Sequence, residues 1–171
     1  MPDRDDEEPT DAAASEHAVR GDRFSGGPAR AFMSSLAADE RIFAADLAVD
    51  RAHVVMLAEQ GIVDEDVAGR ILSALAEVEA AGHGALPEGE DVQEAIESAV
   101  IDRVGADGGR MHTARSRNDE VAADIRVRLR TDLLETVESV LEARAALLDV
   151  VDAESGTMMP GYTHLQPAQP V

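Results

Sequence analysis

The stretch DEVAADIRVRLRTDLLETVESVLEARAALLDVVDAES, residues 119–155, contains neither Gly nor Pro across its 37 positions. Val121, Ile125, Leu129, Leu133, Val137, Val140, Leu141, Leu147, Leu148 and Val151 recur at helical spacing and make a broad apolar stripe. The spacing predicts one helix from about Asn118 to Glu154, roughly 55 Å long at about 1.5 Å per residue. Two polar loops flank it: HTARSRND at 112–119 and MPGYTHLQP at 159–167. A helix of that length holds its two ends apart, so the loops are expected to meet around one small substrate only if several copies of the chain bring them together. A stripe this long also needs other long helices to cover it.

Working outward, the upstream chain reads as shorter helices. Residues 1–22 are acidic, small and polar, and predict a disordered leader in which His17 is inert. A short helix is expected over Ala29–Leu36. Asp39 is a plausible N-cap for a second helix, with Ile42, Ala45, Val49, Ala52 and Met56 on one face and Gly61 as its stop. Asp64 opens a third, with Val67, Ile71, Leu75 and Val78 in line and Gly82 at its end. Val92, Ile96 and Val100 mark a fourth, closed by Gly105. Gly105–Gly109 reads as a loop, not a phosphate cradle, since no strand precedes it and no Gly-Lys-Ser/Thr follows. Pro167 and Pro170 predict an extended stretch after the long helix, and no sequence remains for a helix to return along it. The chain therefore reads as the front part of a larger bundle, divided into a leader at 1–22, an N-terminal helical domain at 23–112 and the start of a central helical bundle at 113–171.

Composition narrows the partners. The chain has 171 residues, 35 acidic against 15 basic, and a net charge of −20. Every basic residue is Arg. That balance argues against nucleic acid and anionic membrane, both of which need clustered cations. It also strains a compact fold by self-repulsion, which molar salt screens, so a salt-rich cytosol is expected. There is no Cys, hence no disulfide and no thiolate metal site. No apolar run is long enough to span a membrane or to act as a secretory signal, and the expectation is a soluble cytoplasmic protein.

The polar loops carry the chemistry. Arg117 can grip a carboxylate through two parallel hydrogen bonds, and Ser116 and Asn118 add neutral groups beside it. Thr163 and His164 place a hydroxyl next to a group that exchanges protons near neutral pH. Together these suit a small polycarboxylate and a proton-transfer reaction, with no metal and no hydride carrier. The same residues have structural readings: Ser116, Asn118 and Asp119 make a good helix N-cap, and Pro-Gly-Tyr makes a good turn. His53 reads as packed or hydrogen-bonded, His83 as surface, and His112 as shaping the loop. Arg115 could bind substrate or pair with the acidic surface.

HTARSRND and MPGYTHLQPAQPV resemble signature segments of argininosuccinate lyase, in the fumarase/aspartase superfamily. Glu90-Asp91-Val92…Ile96-Glu97, Arg23-Phe24-Ser25-Gly26 and the Ser35…Asp39…Asp46 stretch are similar to that family too. The resemblance covers roughly residues 22–171. It implies an all-α lyase: a small N-terminal helical domain, then a central bundle of long helices. It further implies a homotetramer whose sites draw residues from three subunits, and cofactor-free, reversible cleavage of argininosuccinate to arginine and fumarate. By resemblance, Ser116, Arg117, Asn118 and Thr163 hold the substrate and its carboxylates, and His164 takes part in proton transfer. Ser35 and Asp39 resemble residues that bind the amino-acid end; their structural readings are a core-facing serine and a helix cap. Two departures stand out. Gln93 occupies a position where the family often has His. Nothing here matches the family's Gly-Ser-Ser-x-Met-Pro loop with its serine base, so the chain alone is expected to have little or no activity. The alternatives are a non-catalytic module of the same fold and another superfamily lyase, such as one acting on adenylosuccinate.

Overall fold

The computed structural model describes residues 32–171. The leader, the Arg23-Phe24-Ser25-Gly26 segment and the first part of the helix expected over Ala29–Leu36 lie outside the described residues. Of that helix, residues 32 and 33 are helical, Ser34 and Ser35 are not, and Leu36 sits in a turn. A 3-10 turn at Asp39–Arg41 then leads into α1 (Phe43–Glu59), followed by α2 (Glu65–Ala81), α3 (Val92–Val104), a second 3-10 segment at Ala106–His112 and α4 (Arg117–Glu154). Two short antiparallel strands, β1 (Pro160–Thr163) and β2 (Gln166–Pro170), complete the described chain. The expected helical class holds. The expected extended stretch is a hairpin, which the sequence reading did not foresee.

Each helix end has a local cause. Gly61, Gly82 and Gly105 follow α1, α2 and α3 with φ of 66°, 81° and 82°, the left-handed backbone that ends helices most easily at glycine. Asp91 begins α3 by accepting the Glu94 backbone N–H at 2.9 Å. Asp64 does stand at the start of α2, but its side chain makes no capping bond. The proposed cap at Asp39 is not made: α1 begins after Ile42, without a side-chain cap. Gly105–Gly109 is no open loop either. Its residues enter a 3-10 segment that presses on α3, where a Cβ on Gly108 would meet the Ile101 Cα at 2.9 Å.

Two compact units divide the chain at residues 128 and 129, within α4. The first is built on α1, α2 and α3 around Leu47, Val54, Leu57, Ile71, Leu75, Val78, Val92, Ile96, Val100 and Met111, all at most 2% exposed. Each such side chain contributes roughly 1.5–3 kcal/mol of transfer free energy. The faces predicted for α2 and α3 are the buried ones. The face predicted for α1 is not: Val49 is half-buried and Met56 is exposed, while Asp46, Leu47, Asp50, Val54 and Leu57 turn inward. The second unit holds the rest of α4, with Leu133, Val137, Val140, Leu147 and Val151 all more than half exposed, and the hairpin. No described helix is long and apolar enough to cross a membrane.

Candidate functional site

The segment Gly89–Val92, where α3 begins, gathers three of the residues singled out from the sequence. Ser35 donates its backbone N–H to the Glu90 carbonyl at 2.8 Å and its hydroxyl to Asp39 Oδ2 at 2.7 Å. Asp39 Oδ2 in turn accepts the Val92 backbone N–H at 3.3 Å. Asp39 therefore caps a helix distant in sequence instead of its own. From the other side Arg117 Nη1 lies 2.8 Å from Asp91 Oδ2 and 3.5 Å from Glu90 Oε1. The Asp91 carboxyl is raised above its ordinary value, chiefly by burial, against the opposing pull of the Glu94 N–H and of Arg117. With Nη1 so engaged, the Nε–Nη2 edge of Arg117 is the edge a ligand carboxylate can take in the paired geometry.

Arg117 is the first residue of α4, and the turn before it is held firmly. Ser116 accepts the Asn118 N–H on its hydroxyl at 3.2 Å, and Asp119 accepts the Ser116 N–H at 2.9 Å. This reciprocal arrangement is a capping box. The capping reading of these residues and the ligand reading are compatible, because capping leaves Arg117 and the Asn118 side chain outside the bonds it uses. His53 Nε2 lies 2.8 Å from the Thr113 carbonyl, the hydrogen-bonded role expected of it. His112 Nδ1 lies 3.2 Å from Glu120 Oε1, within the turn itself. Arg115 pairs with acidic residues, as one of its two readings expected, but with the buried Asp50 and Glu120 and not at the surface. His83 departs from expectation: its ring is partly buried, 2.9 Å from the Leu36 carbonyl and edge-on to Phe43.

Beneath this turn lies a feature the sequence reading missed. Asp46 and Asp50 on α1, and Glu120 and Asp124 on α4, are each buried to 4% exposure or less. Burial, reinforced by the neighbouring Asp50, Asp124 and Glu120 charges, pushes the Asp46 carboxyl up to about 10. Neither of its oxygens receives a donor from the described residues. Asp46 is thus protonated at neutral pH beside Asp124, whose Oδ2 accepts Gln93 Nε2 at 2.8 Å. Burial lifts Asp50 to about 6, with Arg115 opposing. Gln93 is thus tied into the packing between α3 and α4. The signal for this cluster was present in the sequence: acids four residues apart, 46/50 and 120/124, share one helix face each.

Thr163 and His164 belong to the second unit. Thr163 pairs with Gln166, leaving His164 and Leu165 as a two-residue turn with φ of 47° and 64°. Such turns favour Asn-Gly because both central residues need positive φ; here His and Leu hold that backbone. Gly161 is required by contact, since a Cβ there would sit 2.6 Å from the Gln169 carbonyl. Among the described residues no group of three His, Cys, Asp or Glu has metal-binding geometry.

Residues 29–171 match the family described as lyase. The chain belongs to the lyase family. Among curated relatives, the argininosuccinate lyase of Haloarcula marismortui is 68% identical over 171 residues, covering 99% of this chain and 34% of the relative. That of Natronomonas pharaonis is 69% identical over 160 residues, 94% of this chain and 33% of the relative. That of Methanothrix thermoacetophila is 49% identical, covering 89% and 32%. The chain thus spans about a third of the length of these relatives. Among solved structures, an EDDS lyase variant with bound fumarate superposes with a TM-score of 0.64 at 40% identity, over 77% of this chain and 26% of that one. The lyase assignment and the helical fold expected from the sequence both hold.

Proposed function

We propose that this chain forms part of an argininosuccinate lyase, cleaving argininosuccinate reversibly to arginine and fumarate, the last step of arginine biosynthesis, in the cytoplasm. The observation that carries the reading is the convergence of Ser35, Asp39 and Arg117 on the start of α3, in a chain 68% identical to a protein of that name. In the reaction a proton leaves the carbon beside a carboxylate. The electron pair left behind forms the fumarate double bond, the carbon–nitrogen bond breaks, and the departing guanidinium nitrogen takes up a proton. Arg117, with Ser116 and Asn118, holds the carboxylate on which negative charge accumulates. Ser35 and Asp39 take the amino-acid end, where Asp39 suits an ammonium and Ser35 a carboxylate. Thr163 contacts a carboxylate and His164 serves the proton transfer to nitrogen. No cofactor takes part. No residue of this chain is assigned the role of base, and the reading keeps an N-terminal helical domain at 23–112 followed by the start of a central helical bundle at 113–171.

The length of α4 supports assembly between copies. Its 38 helical residues, about 57 Å at about 1.5 Å per residue, come between Arg117 and the His164 segment in the sequence. Its exposed apolar stripe suits burial against other long helices. A homotetramer with shared sites satisfies both. The solved relative with bound fumarate fits the same product end.

Fumarate release from argininosuccinate, followed by ultraviolet absorbance in molar KCl, tests this. The chain is assayed alone and combined with the C-terminal two thirds of the Haloarcula marismortui relative. Little activity alone and clear activity combined are expected. Arg117→Ala is expected to lower kcat/KM by roughly 10²-fold or more with helix content unchanged. Inactivity of both preparations favours a non-catalytic module; activity on another succinyl substrate alone favours a different superfamily lyase.

A further inference from the structure

The turn that delivers Arg117 is anchored by a residue that does not face solvent. Ala114 has φ of 64°, a backbone that non-glycine residues adopt only when their surroundings impose it. The next side chain, Arg115, turns inward and is 7% exposed. Its Nη2 donates to Asp50 on α1 and forms an ion pair with Glu120 Oε1 on α4 at 2.8 Å. Its Nε and Nη1 find no acceptor among the described residues. A buried ion pair of this kind is a poor source of net stability, because desolvation offsets most of the attraction. What it does fix is geometry: one nitrogen joins two helices at the base of the turn, two residues before Arg117.

We propose that Arg115 is a positioning residue: by joining Asp50 to Glu120 it holds the 112–118 turn, left-handed at Ala114, in the conformation that aims Arg117 at a substrate carboxylate. This rests on the reading of Arg117 as a carboxylate contact. Arg115 itself touches no substrate. Because a single nitrogen makes both charged contacts, a lysine ammonium can reproduce them, whereas methionine, of similar bulk, cannot.

Two readouts test the proposal. In the 171-residue chain, the acid midpoint of the Asp91 carboxyl, followed by carbon-13 NMR, reports whether Arg117 is in place, since Arg117 lowers it. Arg115→Met is expected to move that midpoint up toward its value in Arg117→Ala, and Arg115→Lys to leave it at the parent value. In the chain combined with the remainder of the lyase, Arg115→Met is expected to raise KM for argininosuccinate about 10–100-fold, more than it lowers kcat. Arg115→Lys is expected to stay within about threefold. A folded Arg115→Met with parental midpoint and parental KM overturns the proposal, as does an Arg115→Lys that behaves like Arg115→Met. If Arg115→Met loses its helical circular dichroism, Asp50→Asn, which removes one acceptor charge at little change in volume, replaces it and is expected to shift both readouts the same way. If the midpoint moves while neither Arg115→Met nor Arg117→Ala alters KM, the anchoring role stands and the carboxylate reading of Arg117 falls.

Discussion

Asp46 provides a measurement in which one side chain controls how stability depends on pH. Its carboxyl is raised from 3.8 to about 10 by burial beside Asp50, Asp124 and Glu120. The folded chain therefore keeps a proton that the unfolded chain releases. Stability from such a group is fully present below the unfolded value of 3.8 and is lost as pH rises toward the folded one. The slope is that of one proton, about 1.4 kcal/mol per pH unit, whatever the size of the shift, provided the window lies between the two values. Between about pH 7 and about pH 9 the parent chain should lose roughly 2.7 kcal/mol. The composition leaves this window unusually quiet, because the chain has no Lys and no Cys to titrate there. Asp50, raised only to about 6, has already ionised. Asp46→Asn replaces the protonated carboxyl by an amide of similar size that does not titrate, so the slope should vanish. Urea unfolding followed by circular dichroism at fixed molar KCl measures both variants at several pH values. A parent chain whose stability is flat or rising across the window, or an Asp46→Asn variant that keeps the parental slope, refutes the reasoning from a proton retained on Asp46.

Gly108→Ala should destabilise the chain by about 1–3 kcal/mol in the same urea assay, because the new methyl meets backbone atoms of Ile101 at 2.9–3.0 Å, which cannot rotate away; an unchanged midpoint would show that the 3-10 segment moves off α3 freely. Dialysis from molar salt into dilute buffer should reduce helical circular dichroism, since a net charge of −20 is then left unscreened, and a spectrum indifferent to salt counts against the self-repulsion argument.

How much of this could be read beforehand depended on which residues occupied the buried faces. α2 and α3 were legible because Val67, Ile71, Leu75 and Val78, and Val92, Ile96 and Val100, keep one face apolar. α1 was misread because two of its buried positions carry Asp, so a search for apolar periodicity settled on Val49, Ala52 and Met56 on the wetter side. The hairpin was hidden for a different reason: its turn uses His164 and Leu165 where positive φ normally demands Asn or Gly. Asp39 looked like the cap of the helix that follows it, and nothing local in the sequence indicates that its acceptor oxygen serves Val92 instead. The residues proposed to face the ligand were legible through chemistry and resemblance; the roles of Asp50, Asp91 and Glu120 in holding the turn were not.

These misread positions share one consequence for the site. Of all the residues of α4, those buried are Glu120 and Asp124, so the start of the long helix is attached to the first unit mainly through hydrogen bonds and charge. Apolar contacts tolerate a slip along a helix, since one methyl group replaces another at similar energy. A carboxylate that must meet Arg115 or the Gln93 amide does not, because a displacement leaves buried polar groups unpaired at about 1–3 kcal/mol each. The acid pairs at 46/50 and 120/124 thereby specify where α4 begins relative to α1 and α3, and hence where Arg117 stands relative to Asp91. Apolar residues in their place could stabilise the unit as well or better, but they would leave the register of the Arg117 turn less sharply defined.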